Sequence, residues 1–374
     1  MDQQIYFEND IDLISNEIAK LHIKKVLIVA GSTSYETSGA KSLIDLMFGK
    51  YTLTVFNDFT VNPKIDDLKK GINLYHNTGI ELIVAIGGGS VIDMAKLIKS
   101  YINIDTDLSL SIKSNKIFPN QNIPLIAIPT TAGSGSESTH FAVVFIDNCK
   151  YSVSHASIRP NYVLLVSSLT NGCPFYLTAY SGADALCQAI ESYWSIHSTE
   201  ESRNYAKEAI LLLLQYLPLA IKNNLEARKN VMLAANLAGR AINISFTTAA
   251  HAYSYGLTTY AGIPHGHAVS LTLPYFFNLN MNVSQDNCND PRGVIFVKEK
   301  LNELLQLLAC NRENVVGILS SFFKSLFGNK NDEAISRITD DMRVKLALSV
   351  NLQRLQNNPV RISKEDIDNI KFLF

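Results

Sequence analysis

Little in this sequence is charged in excess, paired in cysteine or continuously apolar, and each absence excludes a class of protein. The 374 residues carry 33 basic and 34 acidic side chains. No dense Lys/Arg run occurs, so neither nucleic acid nor an anionic membrane surface is an expected partner. A small anion held by one or two arginines stays compatible. No apolar run reaches the roughly 20 residues of a membrane-spanning helix. The most apolar stretch, Ala209 to Ile221, is broken by Gln215 and Pro218 and reads as a buried helix. The opening segment, Met1 to Asp10, is polar and acidic and lacks the basic and apolar regions of a signal peptide. The five cysteines (Cys149, Cys173, Cys187, Cys288, Cys310) show no paired spacing. Reduced thiols in a cytoplasmic protein are therefore expected. There is no internal repeat and no low-complexity segment.

What remains is ordinary globular stock, 47% hydrophobic and 18% charged, in a chain long enough for two domains. Short apolar runs alternate with helical stretches at first. Lys24–Gly31, Thr52–Phe59, Glu81–Gly87 and Pro124–Ile128 read as strands, and Ile65–Thr78 as a helix between two of them. Buried strands separated by helices predict a parallel sheet covered on both faces. Phe141–Ile146 and Tyr162–Val166 follow as further apolar runs. Past Thr170 the strand signals stop, and long helical patterns such as Ser202–Ile221 and Glu226–Ile242 take over. The expected organisation is an α/β nucleotide-binding domain over 1–170 and an all-helical domain over 171–374.

Two strand exits are rich in glycine. Ala85–Lys96 reads AIGGGSVIDMAK, a strand, three glycines and a helix start. Bare backbone allows a sharp bend and close approach of a ligand, and first-turn N–H groups suit a phosphate. Ser90 with Asp93 three residues on resembles a capping box. Ile128–Glu137, IPTTAGSGSE, is a second small, polar exit. In an open α/β sheet, ligands sit at the carboxyl ends of strands. Neither segment is the G-x-G-x-x-G fingerprint, and either could be a tight turn without a ligand.

The helical half carries a candidate metal set. Asp184 and Gln188 are four apart in SGADALCQAIESYW and share a face if helical. His251 and His265 are 14 apart, with Gly262 and Pro264 breaking the chain between them. One carboxylate, one amide oxygen and two imidazoles would suit a divalent transition metal with an open position. The same residues also fit a plain reading, with the histidines as hydrogen-bonded core, Asp184 as a cap and Gln188 facing solvent. Cys187 points off that face and reads as core. His267 is two residues beyond His265 and a candidate for the same cavity.

GGGSVIDMAK, IPTTAGSGSE, GADALCQAIESY and the HGH region, in this order and spacing, resemble the iron-containing (group III) alcohol dehydrogenase family. The resemblance extends over essentially the whole chain, including Asn358-Pro359 followed by Ser363–Ile367. It implies a dehydroquinate synthase-like fold, with an N-terminal nucleotide-binding domain, a C-terminal helical domain and the active site in the cleft. It implies that Gly88, Gly89 and Ser90 face the cofactor diphosphate, and that Asn62, Thr130, Thr131, Thr139 and Lys150 are further cofactor contacts. Asp184, Gln188, His251 and His265 become the ligands of one divalent metal, Fe2+ or Zn2+. The implied chemistry is reversible hydride transfer between NAD(P)H and an aldehyde polarised by the metal.

The chain departs from the family in places. Gln188 stands where the family usually has His, and an amide oxygen is the weaker ligand. Tyr255 stands where a second His is common, so Tyr255 or His267 is the expected proton relay. Ser167-Ser168 replaces a frequent Asp-Pro. Where NAD-preferring relatives often carry Asp, this chain has Gly31, followed by Ser32; with no carboxylate to repel a 2′-phosphate, NADPH is expected to be accepted and preferred over NADH. Arg240, in AGRAINISFTT, replaces a usual apolar residue. With Asn243 and Arg159 it is the expected site for an anionic substrate group; an internal ion pair or a contact to cofactor phosphate are the alternatives for it. This wording, with ESYWS and PHGHAV, resembles the phosphonoacetaldehyde reductase branch, which reduces phosphonoacetaldehyde to 2-hydroxyethylphosphonate. A general short-chain alcohol, diol or lactaldehyde dehydrogenase is the alternative. A dehydroquinate synthase-like lyase and a non-catalytic nucleotide-binding protein are remoter ones. A homodimer is expected, with the apolar Ile5–Phe7 segment as an edge.

Overall fold

Val26–Ala30, Leu82–Ile86 and Leu125–Ile128 are fully buried along their whole length, which only a sheet covered on both faces allows. The computed structural model describes residues 3–119, 122–147, 149–339, 342, 345–346, 350 and 352–369. The eight strands among the described residues are β1 (Gln4–Phe7), β2 (Lys25–Ala30), β3 (Thr52–Phe56), β4 (Leu82–Gly87), β5 (Leu125–Pro129), β6 (Phe141–Ile146), β7 (Cys149–Ser154) and β8 (Tyr162–Leu165). Six of them form one sheet, in the order β1-β8-β5-β4-β2-β3, and every pairing is parallel. Alternate residues feed two cores. Leu27, Val29, Ile83 and Ala85 enter one, and Val26, Ile28, Leu82 and Val84 enter the other.

The helices of this half are α1 (Ile11–Ala19), α2 (Ser34–Thr37), α3 (Ala40–Phe48), α4 (Ile65–Thr78), α5 (Gly89–Tyr101) and α6 (Leu108–Lys113). The strand order reverses direction between β2 and β4. That reversal opens a crevice at their carboxyl ends, where doubly wound sheets bind ligands. Two strands were not expected from the sequence. β1 is short and pairs only with β8. β7 forms an antiparallel hairpin with β6 outside the main sheet. Phe141–Ile146 is buried only at alternate residues, as suits a half-covered hairpin and not a central parallel strand. Ser167 and Ser168 both donate to the Glu8 carboxylate, at 3.1 and 2.5 Å, tying the residues after β8 to those after β1.

The chain divides into two units between Cys173 and Pro174. The second unit is helical: α7 (Phe175–Trp194), α8 (Glu200–Ala220), α9 (Leu225–Ser245), α10 (Ala249–Ala261), α11 (His265–Met281), α12 (Val294–Leu307), α13 (Val315–Phe327) and α14 (Asn329–Ser336). Short helices at Leu352–Leu355 and Lys364–Asn369 follow. α7, α8 and α9 pack on one another, and α11 packs on α7, α10 and α13. Thr199 caps α8 in a reciprocal box with Ser202, and Asn224 caps α9. α9 ends at Phe246, whose φ of 61° turns the chain sharply into Thr247. No described helix is long and apolar enough to cross a membrane. The architecture is thus a parallel α/β unit followed by a helical unit.

Candidate active site

In the second unit, three helices converge on one carboxylate. Asp184 lies in the middle of α7, His251 in the first turn of α10 and His265 at the first residue of α11. Nε2 of His251 is 3.2 Å and Nε2 of His265 is 3.8 Å from Asp184 Oδ1. One ligating atom from each of the three lies within 4.8 Å of the others. Gln188 is one helical turn beyond Asp184, on the same face. It is buried and hydrogen-bonded to Asp184, and its Oε1 meets no donor among the described residues. The cluster depends on a glycine. A Cβ on Gly266 would lie 1.9 Å from the Tyr180 carbonyl oxygen and 2.9 Å from Asp184 Cβ. Only a residue without a side chain lets α11 approach α7 closely enough for His265 to reach Asp184.

Glu191, which sequence reasoning missed, lies behind the cluster. It is completely buried. Its Oε1 accepts the N–H groups of Thr248 (3.1 Å), Ala250 (3.0 Å) and His251 (3.3 Å) and the Thr248 hydroxyl (2.7 Å). Its Oε2 faces Nδ1 of His251 in close contact. One carboxylate thereby satisfies the open N–H groups at the start of α10 and orients the imidazole so that Nε2 faces Asp184. The signal was present: Asp184, Gln188 and Glu191 follow an i, i+4, i+7 pattern on one stripe of α7.

The electrostatics call for a cation. Burial pushes the Asp184 carboxyl up, but the His265 charge and the His251 hydrogen bond outweigh it and hold the pKa below the usual value. For Glu191, burial is likewise outweighed by His251, with a net lowering. Burial pushes His251 down, yet Glu191 and Asp184 together raise it to about 10. Two buried carboxylates thus need a positive charge between them, which a proton on His251 or a divalent metal can supply. One carboxylate, two imidazoles and an amide oxygen form a donor set that fits Fe2+ or Zn2+. Burial raises the neighbouring Cys187 thiol well above its ordinary value, as for an inert core residue.

In the first unit, the glycine-rich exits meet at one end of the sheet. Gly31 follows β2, Gly88 and Gly89 follow β4, and Thr130 and Thr131 follow β5. Thr130 N donates to Gly87 O across the strands at 3.0 Å. A Cβ on Gly89 would stand 2.6 Å from Ser134 Oγ, so the two exits are in contact. Asn62, in a left-handed conformation (φ 63°), donates its N–H to Ser90 Oγ at 3.1 Å. α5 begins at Gly89 with Gly88 as its N-cap, and no side chain caps it. An uncapped N-terminus of a helix this long suits a phosphate group.

Several expected roles need correcting. Ser90 is no N-cap, because α5 begins one residue earlier and the Ser90 hydroxyl faces Asn62. Asp93 does not close a box; it accepts the Ser136 hydroxyl at 2.5 Å and Val143 N at 3.0 Å. The hydroxyl of Thr139 is taken by buried Lys96, whose ammonium donates to Ser136 Oγ and Thr139 Oγ1 at 3.0 Å each and to Phe141 O at 2.9 Å. Burial lowers the Lys96 pKa to about 8, against the pull of Asp93. Asp93 and Lys96 therefore clamp the loop after β5. Lys150 is exposed on β7, near enough for its charge to act on Asp93.

His267 does not join the cluster. Two residues past His265 on a helix, it points to another face. It is fully buried, stacked on Tyr180 with ring centroids 5.5 Å apart and packed on Phe327 at 4.1 Å, with Nε2 3.3 Å from Asn331 Oδ1. Tyr255 is at the cluster, stacked on His265 at 5.5 Å and 11°. Arg240 is engaged elsewhere. Its guanidinium carbon lies 4.0 Å from the Tyr205 ring centroid and it donates to the Tyr205 hydroxyl, which in turn donates to Glu201. Arg159 donates to Ser138 O and to Gln3 Oε1, fastening the residues ahead of β1. Asn243 is half-buried on the last turn of α9.

Comparison with known proteins agrees with this geometry. A family model described as iron-containing alcohol dehydrogenase matches residues 2–167, and one for the C-terminal part of the Fe-containing alcohol dehydrogenase family matches residues 178–371. The probable alcohol dehydrogenase EutG of Escherichia coli is 34% identical over 229 residues, 60% of this chain and 58% of that protein. The phosphonoacetaldehyde reductase of Streptomyces viridochromogenes is 31% identical over 297 residues, 77% of this chain and 74% of that one. Among solved structures, the sulfoacetaldehyde reductase of Bifidobacterium kashiwanohense in complex with NAD+ superposes with a TM-score of 0.85 at 28% identity, covering 99% of this chain and 96% of that one. With both units matched by the family's own models and a candidate metal-ligand set assembled on α7, α10 and α11, the chain belongs to the iron-containing alcohol dehydrogenase family, oxidoreductases acting on CH–OH groups.

Proposed function

We propose that this protein reduces a small aldehyde carrying a terminal oxyanion, phosphonoacetaldehyde foremost, to its alcohol at the expense of NADPH or NADH. The observation that carries the reading is the Asp184–His251–His265 cluster with buried Glu191 behind it. The substrate class is supported by two similar proteins, one named for phosphonoacetaldehyde and one for sulfoacetaldehyde. Asp184, Gln188, His251 and His265 would hold a divalent metal, Fe2+ or Zn2+, which when bound would supply Lewis acidity for the carbonyl group. Asp184 brings the one carboxylate of the set, and Glu191 keeps His251 turned toward it. Tyr255, stacked on His265, takes the proton-relay role and passes a proton from its hydroxyl to the product oxygen. The first-turn N–H groups of α5, with Gly88, Gly89 and Ser90, hold the cofactor diphosphate. Asn62, Thr130 and Thr131 lie at the same end of the sheet and would add contacts, Gly31 and Ser32 would serve the adenosine ribose, and Lys150 on the hairpin would be a further cofactor contact.

The test is kcat/KM for phosphonoacetaldehyde and sulfoacetaldehyde against propanal and lactaldehyde, with NADPH and NADH, after reconstitution with Fe2+ or Zn2+. A clear preference for the anionic aldehydes supports the reading, and equal values remove it. The match to the E. coli alcohol dehydrogenase favours a second reading, a short-chain alcohol dehydrogenase without charge selection, and equal values are its signature. The same proposal places the protein in the cytoplasm, its five cysteines free, as a homodimer associating through the edge strand β1. A monomer in light scattering at micromolar concentration removes the dimer.

A further inference from the structure

The sequence has one tryptophan, and the fold seats it against all three helices that supply the cluster. Trp194 is the last residue of α7, the helix of Asp184. Its ring lies edge-on to Phe277 of α11, with centroids 5.2 Å apart and planes at 76°. Its Nε1 donates at 2.9 Å to the hydroxyl of Thr248, just ahead of α10. Both residues are buried, Thr248 completely.

An indole N–H can only donate, and an ionised carboxylate can only accept. Thr248 stands between the two, so the direction of its hydroxyl is fixed. It accepts from Trp194 and donates to Glu191 Oε1 at 2.7 Å, the shortest of the bonds that oxygen receives. The others come from backbone N–H groups, which the chain itself holds; the hydroxyl can rotate, and the indole stops it. Glu191 Oε2 is left to face Nδ1 of His251. An imidazole whose Nδ1 hydrogen is held by a carboxylate presents Nε2 as the ligating atom, and Nε2 of His251 is the one turned to Asp184. Indole, hydroxyl, carboxylate and imidazole thus form an unbroken chain from Trp194 to the cluster, in which each bond polarises the next.

We infer that Thr248 and Trp194 are positioning residues of the metal site, and that the indole of Trp194 registers whether the site is filled. The inference rests on the reading of the cluster as a metal site. On cation binding the charge at the far end of the chain changes, and with it the pull of His251 on Glu191 and the field at the indole. Without the Thr248 hydroxyl, Glu191 keeps its backbone donors but loses its shortest bond, and the buried indole N–H is left without its acceptor.

The experiment titrates Zn2+ into chelator-treated wild type, Thr248→Val, Thr248→Ser and Trp194→Phe. Zinc affinity is read by competition with a chromogenic chelator. Trp194 emission is read by excitation at the red edge of the aromatic band, where tyrosine does not absorb. In wild type the emission changes saturably and in step with zinc binding. Thr248→Val keeps the shape of the side chain, yet zinc affinity falls about tenfold and the emission response is lost. Thr248→Ser keeps both. Trp194→Phe retains a ring against Phe277 and removes the N–H, and its zinc affinity falls several-fold. A hydroxyl that only braced the start of α10 would lower the melting temperature of Thr248→Val and leave zinc affinity at the wild-type value. If Thr248→Val does not fold, Trp194→Phe against wild type decides. Wild-type zinc affinity in these two variants, or zinc bound to the wild type with no change in emission, overturns the inference and leaves the metal reading intact. Failure of the wild type to bind zinc overturns the metal reading, and this inference with it.

Discussion

The turns at the carboxyl ends of β2, β4 and β5 work by leaving side chains out, whereas the cluster on α7, α10 and α11 works by packing them in. At the turns, glycines and small hydroxyl residues expose backbone N–H groups, and the strand exits touch through Gly89 and Ser134. At the cluster, two carboxylates, one imidazole and an amide are buried beside the half-buried His265, and the charged groups depend on one another for charge and orientation. Backbone recognition of a phosphate tolerates a small displacement because many donors share the work. A metal set does not, because each ligand is a single atom in a fixed direction. The two regions should therefore fail differently.

The largest effect is expected at Asp184. Asp184→Ala removes the carboxylate ligand, so bound metal measured by mass spectrometry should fall to background and turnover should vanish, while NADPH binding followed by fluorescence is retained. Unchanged metal content would dissolve the distinction between the two regions.

Glu191→Gln comes next. It keeps the shape and removes the charge behind His251. Metal affinity in a chelator competition should drop about 10- to 100-fold, as for other residues that orient a ligand. Cofactor affinity should not move.

A third comparison uses pH. In metal-free protein His251 is held up at about 10, from an ordinary 6.5, by Glu191 and Asp184 acting against burial. A raised histidine contributes stability that is fully present below about pH 6.5 and is lost as pH rises through about 10. Thermal melts of chelator-treated protein should fall between about pH 7 and 9.5, and more steeply than melts of metal-loaded protein. Parallel curves would show that proton and metal do not share the site.

Smaller effects belong to the turns. Gly89→Val places a side chain where a Cβ already stands 2.6 Å from Ser134 Oγ. KM for the cofactor should rise several-fold with metal content intact. Gly31→Asp adds a carboxylate after β2, at the cost of turning Ser34, whose Oγ lies 2.4 Å from the new Cβ. Its expected outcome is a several-fold shift in the kcat/KM ratio from NADPH toward NADH. An unchanged NADPH rate would mean that the ribose end lies elsewhere.

The sequence by itself determined the features that depend on near neighbours. Apolar runs bounded by glycine became β2 and β4, one bounded by proline became β5, the four-residue spacing of Asp184 and Gln188 put both on one stripe of α7, and Gly262 and Pro264 separated α10 from α11. Motif order was enough for the family. Only the tertiary structure decided what depends on distant partners or on helical phase. Glu191 looked like one more polar residue until α10 was docked against α7 and its carboxylate met the N–H groups of Thr248, Ala250 and His251. His267 looked like a companion of His265 until the start of α11 placed the two on different faces. Arg240 drew attention because it departs from a pattern, but α8 supplies Tyr205 to hold it. The physical reason is common to these cases. Secondary structure is encoded within a few residues, while a buried charge takes its meaning from groups that only chain folding brings within a few ångströms.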